Sequence, residues 1–161
     1  MKEIFENEYK MDRELFNEYV YNVLCKKMIV SGLIISLIGI LFFCLVTSKI
    51  SYVILTAVII TIISIIIGPI ILSKELEENS KRLNNGNIEK TNIKFSNNII
   101  MNEGNVHLEF EYSQINKILQ TKNFIVLKIG KQSSILVLKN GFLKGTEKEF
   151  IKFIKEKTNI K

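Results

Sequence analysis

The side chains best suited to chemistry in this sequence are one histidine and two acidic neighbours. His107 alternates with Glu109 and Glu111, so the three would share one face of a β-strand, where a histidine and a carboxylate could relay a proton. Neither a nucleophile motif nor a phosphate-binding loop accompanies them. Exposed strand positions commonly carry such residues, and we therefore predict that the protein is not an enzyme.

The two cysteines predict neither a metal site nor an internal disulfide. Cys25 and Cys44 are 19 residues apart, which separates them by roughly 28 Å in a helix. A disulfide requires Cα atoms within about 7 Å of one another, and one histidine with two distant cysteines does not make a ligand cluster. We therefore expect no metal and no other cofactor.

Two long apolar runs, residues 28–48 and 51–73, dominate the first half of the chain. Lys49 is the only charged residue between Lys27 and Lys74. Each run would be roughly 30 Å long as a helix, which matches the hydrocarbon thickness of a bilayer. We therefore predict a transmembrane hairpin. A cleaved signal peptide is the less favoured alternative, because the first run is too long and no small-x-small cleavage pattern follows it.

Small residues recur at spacings of three and four along both predicted transmembrane helices. Helix backbones approach closely at such residues in lipid, where no hydrophobic force drives helices together. We therefore predict that these residues form the contact between the two helices: Gly32, Ser36 and Gly39 in the first, and Ala57, Thr61, Ser64 and Gly68 in the second. An antiparallel pairing about Ile50 would place Ser36 opposite Ser64 and Gly39 opposite Thr61. The alternative is a chance register.

The basic residues beside the two runs predict the orientation of the hairpin. Two lysines precede the first run, only one lies in the loop, and three basic residues follow the second: Lys26, Lys27, Lys49, Lys74, Lys81 and Arg82. By the positive-inside rule, both termini are cytoplasmic and the protein is a multi-pass protein of the cell (inner) membrane. Both runs lack Asp, Glu, Lys, Arg and His, the residues that ion pathways and proton relays normally require. We therefore predict that the hairpin is an anchor.

The segments on either side of the hairpin predict different structures. Residues 1–27 predict a short strand and then a helix that continues into the membrane. The less favoured alternative is an interfacial helix or a docking face for the C-terminal domain. Residues 74–86 predict a helical linker. From residue 87 onward the apolar pattern alternates, which predicts strands at 88–95, 99–101, 106–112, 117–121, 124–129 and 134–139.

Thr146 and Glu149 form a capping box at the start of a final amphipathic helix. Strands followed by one such helix predict an antiparallel sheet or half-barrel, closed by the helix, over residues 87–161. With the N-terminal helix and the hairpin, the fold class of the whole chain is an α+β membrane protein.

Several short motifs occur together between Glu111 and Lys157. They are Tyr112-Ser113-Gln114-Ile115, Lys117-Ile118, Thr121-Lys122-Asn123-Phe124, Ile135 to Leu138, Lys139, Phe142 and Glu149-Phe150. These motifs resemble those of the bacterial YcxB-like membrane proteins, which have two transmembrane helices and a C-terminal domain of pleckstrin-homology (PH)-like fold. Tyr112 stands where tryptophan is usual, and Leu138-Lys139-Asn140 replaces a Pro-Lys-Arg signature. The resemblance implies a fold, with Tyr112, Lys139 and Phe142 as motif positions, and it implies no activity.

Charge is distributed unevenly along the chain. Residues 86–161 contain 13 Lys and 7 Glu, whereas residues 1–85 contain 9 basic and 9 acidic residues. The net charge of +6 therefore lies on the predicted cytoplasmic domain, where anionic lipid headgroups or an acidic partner would attract it. The alternative is a composition that simply favours lysine on surfaces. Nucleic acid is a disfavoured partner, since this segment lacks arginine and any known reader motif.

These patterns predict a non-enzymatic, membrane-anchored binding or scaffold protein that presents a basic PH-like domain at the inner leaflet. Its partners would be membrane lipid and a protein that the sequence does not identify. The alternative is a small regulatory or immunity-type membrane subunit whose hairpin packs on another membrane protein.

Overall fold

The computed structural model describes residues 4–46, 50–130, 133–158 and 160. Within the helices, the side chains of residues 27, 28, 42–46, 50, 51, 53, 54 and 64 lie outside this description. The chain divides into two compact units, one formed by Arg13–Glu78 and the other by Met1–Asp12 together with Asn79–Lys161. The second unit thus contains segments from both ends of the chain.

The first unit is helical. Helix α1 (Arg13–Tyr19) passes through a π-helical turn (Val20–Leu24) into helix α2 (Cys25–Val46), and helix α3 (Ile50–Leu83) follows. The axes of Arg13–Leu24 and Ile29–Leu41 differ by 54°. The N-terminal helix therefore does continue into the first apolar run, but it changes direction where it does so.

Helix α3 is long and apolar enough to cross a membrane over Leu55–Leu83. Within the described residues, the α1–α2 segment meets the same criterion only if its bent halves are counted as one span. Both helices expose large apolar side chains, among them Ile35 at 69%, Leu41 at 62% and Ile60 at 61%. An apolar surface of this extent is unusual on a protein surrounded by water.

Within the described residues, the second unit contains eight strands, the end of α3 and one further helix. The strands are β1 (Phe5–Lys10), β2 (Lys90–Phe95), β3 (Ile99–Glu103), β4 (Val106–Phe110), β5 (Ile115–Gln120), β6 (Phe124–Ile129), β7 (Ser133–Leu138) and β8 (Phe142–Lys144). They form an antiparallel five-stranded sheet in the order β4-β3-β2-β1-β8 and an antiparallel three-stranded sheet in the order β5-β6-β7. A 3₁₀ turn, Tyr112–Gln114, links the two sheets, and helix α4 (Glu147–Thr158) ends the unit.

Strand β1 is the main departure from the predicted division of the chain. It pairs with β2 from Phe5↔Phe95 to Lys10↔Lys90, and with β8 on its other side. A domain of residues 87–161 therefore omits one of its own interior strands. The predicted N-terminal strand is present, but the alternation of its residues carries no information about which later strands accept its hydrogen bonds.

The remaining predicted strands and the final helix are present, with strand ends that differ from the predicted ones by up to two residues. The capping box is confirmed, because the Thr146 N–H donates to Glu149 Oε2 (3.1 Å) and the Glu149 N–H donates to Thr146 Oγ1 (3.4 Å). The short strand β8 was not predicted. The predicted strand 106–112 ends at Phe110, and its apolar face is only partly covered, since Leu108 is 41% exposed at the sheet edge.

Candidate functional site

Tyr112, a motif position, lies in the 3₁₀ turn between the two sheets and is buried. Its hydroxyl donates a hydrogen bond to the carbonyl oxygen of Ser96 (3.0 Å). The ring contacts the Phe153 ring edge-on at 5.7 Å, and the Lys157 ammonium lies 5.8 Å from its centre. Burial raises the Tyr112 pKa to about 12. The hydroxyl is thus a structural donor rather than a proton-transfer group near neutral pH.

Phe142 and Lys139, the other two motif positions, also make structural contacts. The Phe142 ring lies 5.3 Å from that of Phe150 and 6.5 Å from that of Phe5. The Lys139 ammonium lies 3.6 Å from the carboxylate of Glu147, at the start of α4. The motif positions therefore hold α4 against the sheets, and none of the three forms part of a reactive cluster.

An aromatic cluster joins β1 to α4. The Phe150 ring lies 4.7 Å from the Phe95 ring and 5.5 Å from the Phe5 ring, and Phe153 lies 5.1 Å from Phe5. Phe95 and Phe150 are fully buried. Phe5, from the other end of the chain, is thus part of the core that α4 covers, and no local pattern in the sequence indicated this.

Asn7 connects the two sheets through its side chain. Its Nδ2 donates to the Leu138 carbonyl (2.8 Å), and its Oδ1 accepts from the Leu138 N–H (3.0 Å). Asn7 is fully buried, and its amide satisfies both backbone groups of one β7 residue, as a neighbouring strand would. Sequence reasoning missed this residue, because an asparagine within a strand gave no signal of a partner 131 positions away.

Replacing Asn7 by alanine should destabilise the protein by about 1–3 kcal/mol, because it leaves the Leu138 N–H without its partner, while the Leu138 carbonyl keeps its hydrogen bond from the Gly141 N–H (3.0 Å). The matched control is Asn116→Ala, which removes an exposed amide that bonds the Gly130 carbonyl. That control should cost under about 0.5 kcal/mol. Urea unfolding in detergent measures both changes, and equal losses would contradict the bridging role of Asn7.

A polar network holds the end of α3 within the second unit. Glu103 accepts hydrogen bonds from Ser80 (3.0 Å), Asn84 (3.3 Å) and Thr91 (3.2 Å). Asn84 is buried and packs against Gly104, whose φ of 53° and lack of a side chain the contact requires. The three donors are neutral and share one carboxylate. Their hydrogen bonds fix the C-terminal end of α3 on the turn between β3 and β4.

Two ion pairs neutralise lysines on the outer face of the five-stranded sheet. Lys90 lies 2.8 Å from Glu8, and Lys94 lies 3.7 Å from Glu6. The hydrogen bond and charge of Lys90 lower the Glu8 pKa, and Glu8 in turn raises the Lys90 pKa. Strand β1 thus places two glutamates beside lysines of the basic segment, residues 86–161. Counting charges along the sequence did not reveal that these lysines are partly neutralised.

His107 and Glu109 are exposed on β4, with amide neighbours rather than a nucleophile. Glu109 accepts from Asn98 (2.7 Å), and His107 Nδ1 contacts Asn102 Oδ1 (2.5 Å). Within the described residues, no three His, Cys, Asp or Glu side chains are grouped as metal ligands.

Comparison with models of protein families shows which family residues 95–154 are similar to. Residues 95–154 match the model described as YcxB-like protein. Residues 95–154 are similar to YcxB-like proteins, and we call the unit that contains them the YcxB-like domain. The match confirms the resemblance drawn from the motifs around Tyr112 and Phe142, and it covers 60 of the 161 residues. Comparisons with curated proteins and with solved structures find no significant match.

The match begins at the last residue of β2 and ends within α4. The YcxB-like domain as folded is larger, because it also includes β1 and the remainder of β2. Asn7 and Phe5 therefore act in this domain although they lie outside the matched residues. The two apolar helices also lie outside the match.

The helices outside the YcxB-like domain touch at predicted small residues, in a register different from the predicted one. Ser36 Oγ lies 2.9 Å from Thr61 Oγ1 and 3.5 Å from the Ala57 carbonyl. A Cβ at Gly32 or Gly39 would meet nothing within 4 Å, so the structure does not pack these two glycines tightly. Gly68 is half-buried, and Ser64 lies outside the described side chains. A contact role for these four residues stays a prediction.

Helix α1 also packs onto α3 within the helical unit. Ser73 Oγ donates to Asn17 Oδ1 (2.7 Å), and Ser73, Phe16, Val20 and Cys25 are buried. These contacts lie within the helical unit, and the predicted docking of the N-terminal helix on the C-terminal domain stays a prediction.

Proposed function

We propose that the protein is a non-enzymatic binding module anchored in the cytoplasmic membrane. In this proposal, α2 and α3 form a two-span hairpin, both termini are cytoplasmic, and the YcxB-like domain has a PH-like half-barrel fold. The domain binds an anionic partner through a basic surface.

The pairing of β1 with β2 is the main observation that supports an anchor with two membrane crossings. Strand β1 precedes both apolar helices and β2 follows them, yet their pairing extends over six residues, from Phe5↔Phe95 to Lys10↔Lys90. Two strands of one sheet lie on the same side of a membrane, so the chain between them crosses an even number of times. Because α3 is long and apolar enough to cross, the pairing favours a second crossing by α2.

The order of strands supports the PH-like half-barrel. Strands β1 to β4 form one antiparallel meander, β5 to β7 form another, and α4 follows them. The buried aromatic face of α4 contacts residues of β1, β2 and β8. In this arrangement a helix closes the open side of two successive meanders. The resemblance to YcxB-like proteins, based on the motifs around Tyr112, implies such a PH-like fold.

The distribution of charge supports an anionic partner. By sequence, the unit that contains the domain has 17 basic and 11 acidic residues, whereas the helical unit has 5 of each. On α4, Lys148, Lys152 and Lys155 recur at spacings of four and three, opposite the buried Phe150 and Ile154. Their charges are therefore presented together to the surroundings.

Neutralising the α4 lysines should weaken binding to anionic vesicles more than neutralising paired lysines. Each lysine near an anionic surface contributes about 1 kcal/mol, so Lys148→Gln with Lys155→Gln should reduce binding about 30-fold. Lys152 is left unchanged because its ammonium lies 4.0 Å from the Glu156 carboxylate. The matched control, Lys90→Gln with Lys94→Gln, changes the net charge equally but removes lysines that pair with Glu8 and Glu6. It should change binding less than about threefold at physiological salt.

Sedimentation with vesicles, using the domain without its hairpin, measures these affinities. Equal losses for the two variants would contradict a binding face on α4. Binding to no vesicle, combined with capture of an acidic protein that depends on the same lysines, would identify a protein as the anionic partner.

The regulatory-subunit alternative rests on the exposed apolar side chains of α2 and α3, which a membrane protein could cover as well as lipid could. Exchanging the hairpin for an unrelated two-span hairpin separates the two functions. Crosslinking in cells should still capture the same partner if the domain binds it, and should lose the partner if the hairpin does.

A further inference from the structure

Strand β4 is an edge strand with little protection against pairing. It pairs with β3 in a regular register from Ile99↔Phe110 to Glu103↔Val106, and its central residues His107, Leu108 and Glu109 are exposed. Leu108 is an apolar residue with 41% exposure. A straight edge strand with an exposed apolar residue is a template for another strand.

The other sheet edges carry features that oppose pairing. Strand β5 has a register shift and an exposed lysine, Lys117. Strand β8 has only three residues and a register shift against β1. On β7, Leu138 gives both backbone groups to Asn7. Strand β4 has neither a register shift nor a lysine.

We propose that β4 pairs antiparallel with β4 of a second copy of this chain, with the two-fold axis at Leu108. In a continuous sheet, directly opposed residues point to the same face, so the axis must pass through a residue rather than between two. An axis at Leu108 places His107 opposite Glu109 of the other copy, twice, and joins the two exposed leucines.

The neighbouring registers lack this complementarity. An axis at Glu109 opposes two carboxylates, and an axis at His107 opposes two imidazoles and leaves Glu109 opposite Asn105. In the described part of the chain, the polar contacts of His107 and Glu109 are with the neutral amides of Asn102 and Asn98. A second copy would place a charged acceptor, the Glu109 carboxylate, opposite each His107 imidazole.

Disulfide crosslinking of the full-length protein in its membrane tests this register. In a Cys25→Ala, Cys44→Ala background, Leu108→Cys should crosslink to itself, because opposed residues have Cα atoms about 4.5–5.5 Å apart. His107→Cys and Glu109→Cys should crosslink with each other when co-expressed, and neither should crosslink alone. The control is Leu143→Cys, an equally simple substitution of an exposed leucine on β8.

Charge exchange provides a second test that does not depend on cysteine geometry. Glu109→Lys should weaken self-association about tenfold, because each cross-strand pair then loses its carboxylate acceptor and opposes an ammonium donor to an imidazole. Adding His107→Glu should restore it. The proposal is overturned if Leu108→Cys crosslinks no more than Leu143→Cys, if it crosslinks to a different protein, or if the charge exchange fails to rescue association.

Discussion

A fragment that begins at Asn87 should fail to fold, whereas a chain that joins residues 1–12 to residues 79–161 through a flexible linker should fold cooperatively. Strand β1 lies between β2 and β8, so the fragment loses backbone hydrogen bonds on both sides of the missing strand. It also loses the buried side chains of Phe5 and Tyr9, each worth about 1.5–3 kcal/mol. Together, these losses are comparable to the whole free energy of unfolding of a typical small domain.

Two-dimensional NMR and urea unfolding compare these proteins directly. The joined chain should give dispersed spectra and a single unfolding transition, and the fragment from Asn87 should give neither. A joined chain whose residues 5–10 are shuffled in order is the control for added length and composition. A folded fragment from Asn87, or a shuffled chain as stable as the joined one, would contradict the role of β1.

Replacing Phe150 by alanine should destabilise the domain by about 3–5 kcal/mol, because it leaves a cavity among three aromatic rings. Phe150 is fully buried and lies 4.7, 5.3 and 5.5 Å from the rings of Phe95, Phe142 and Phe5. The matched control is Leu143→Ala, which removes a side chain that is 64% exposed.

The control substitution should change the free energy of unfolding by less than about 0.5 kcal/mol. Urea unfolding of the joined chain measures both values. A Phe150→Ala protein that unfolds within 1 kcal/mol of the Leu143→Ala protein, with 1 kcal/mol as about the error of such a comparison, would show that α4 does not close the core through this residue.

Local patterns in the sequence predicted the elements that depend on local interactions. The Thr146 and Glu149 capping box lies three residues apart, and its hydrogen bonds form within one helical turn. The strand at Phe124–Ile129 was predicted with its observed bounds, because turn residues flank a run that is apolar except for Lys128. The motifs around Tyr112 likewise predicted the family that residues 95–154 match.

Features that depend on distant partners could not be predicted in the same way. Asn7 bonds a residue 131 positions away, and the partners of β1 lie after the apolar helices. Alternation indicates a strand but not its neighbours. The contact of Ser36 with Thr61 shows the same limit for helices, since equally spaced small residues allow several registers.

The position of β1 also changes how the proposed topology can be tested. Cys25 is 1% exposed, so a failure of its thiol to react would not report the side of the membrane on which it lies. Cysteines introduced at exposed positions avoid this problem. Lys10 ends β1 and Asn97 follows β2, and both are exposed. Lys49 lies between the two apolar runs.

Labelling of these three positions with a membrane-impermeant thiol reagent, in a Cys25→Ala, Cys44→Ala background, tests the two-span anchor most directly. We expect Lys49→Cys to react in intact cells, and Lys10→Cys and Asn97→Cys to react only after the cells are permeabilised. Reaction of either Lys10→Cys or Asn97→Cys in intact cells, or protection of Lys49→Cys until permeabilisation, would contradict a hairpin whose two ends meet in one cytoplasmic sheet.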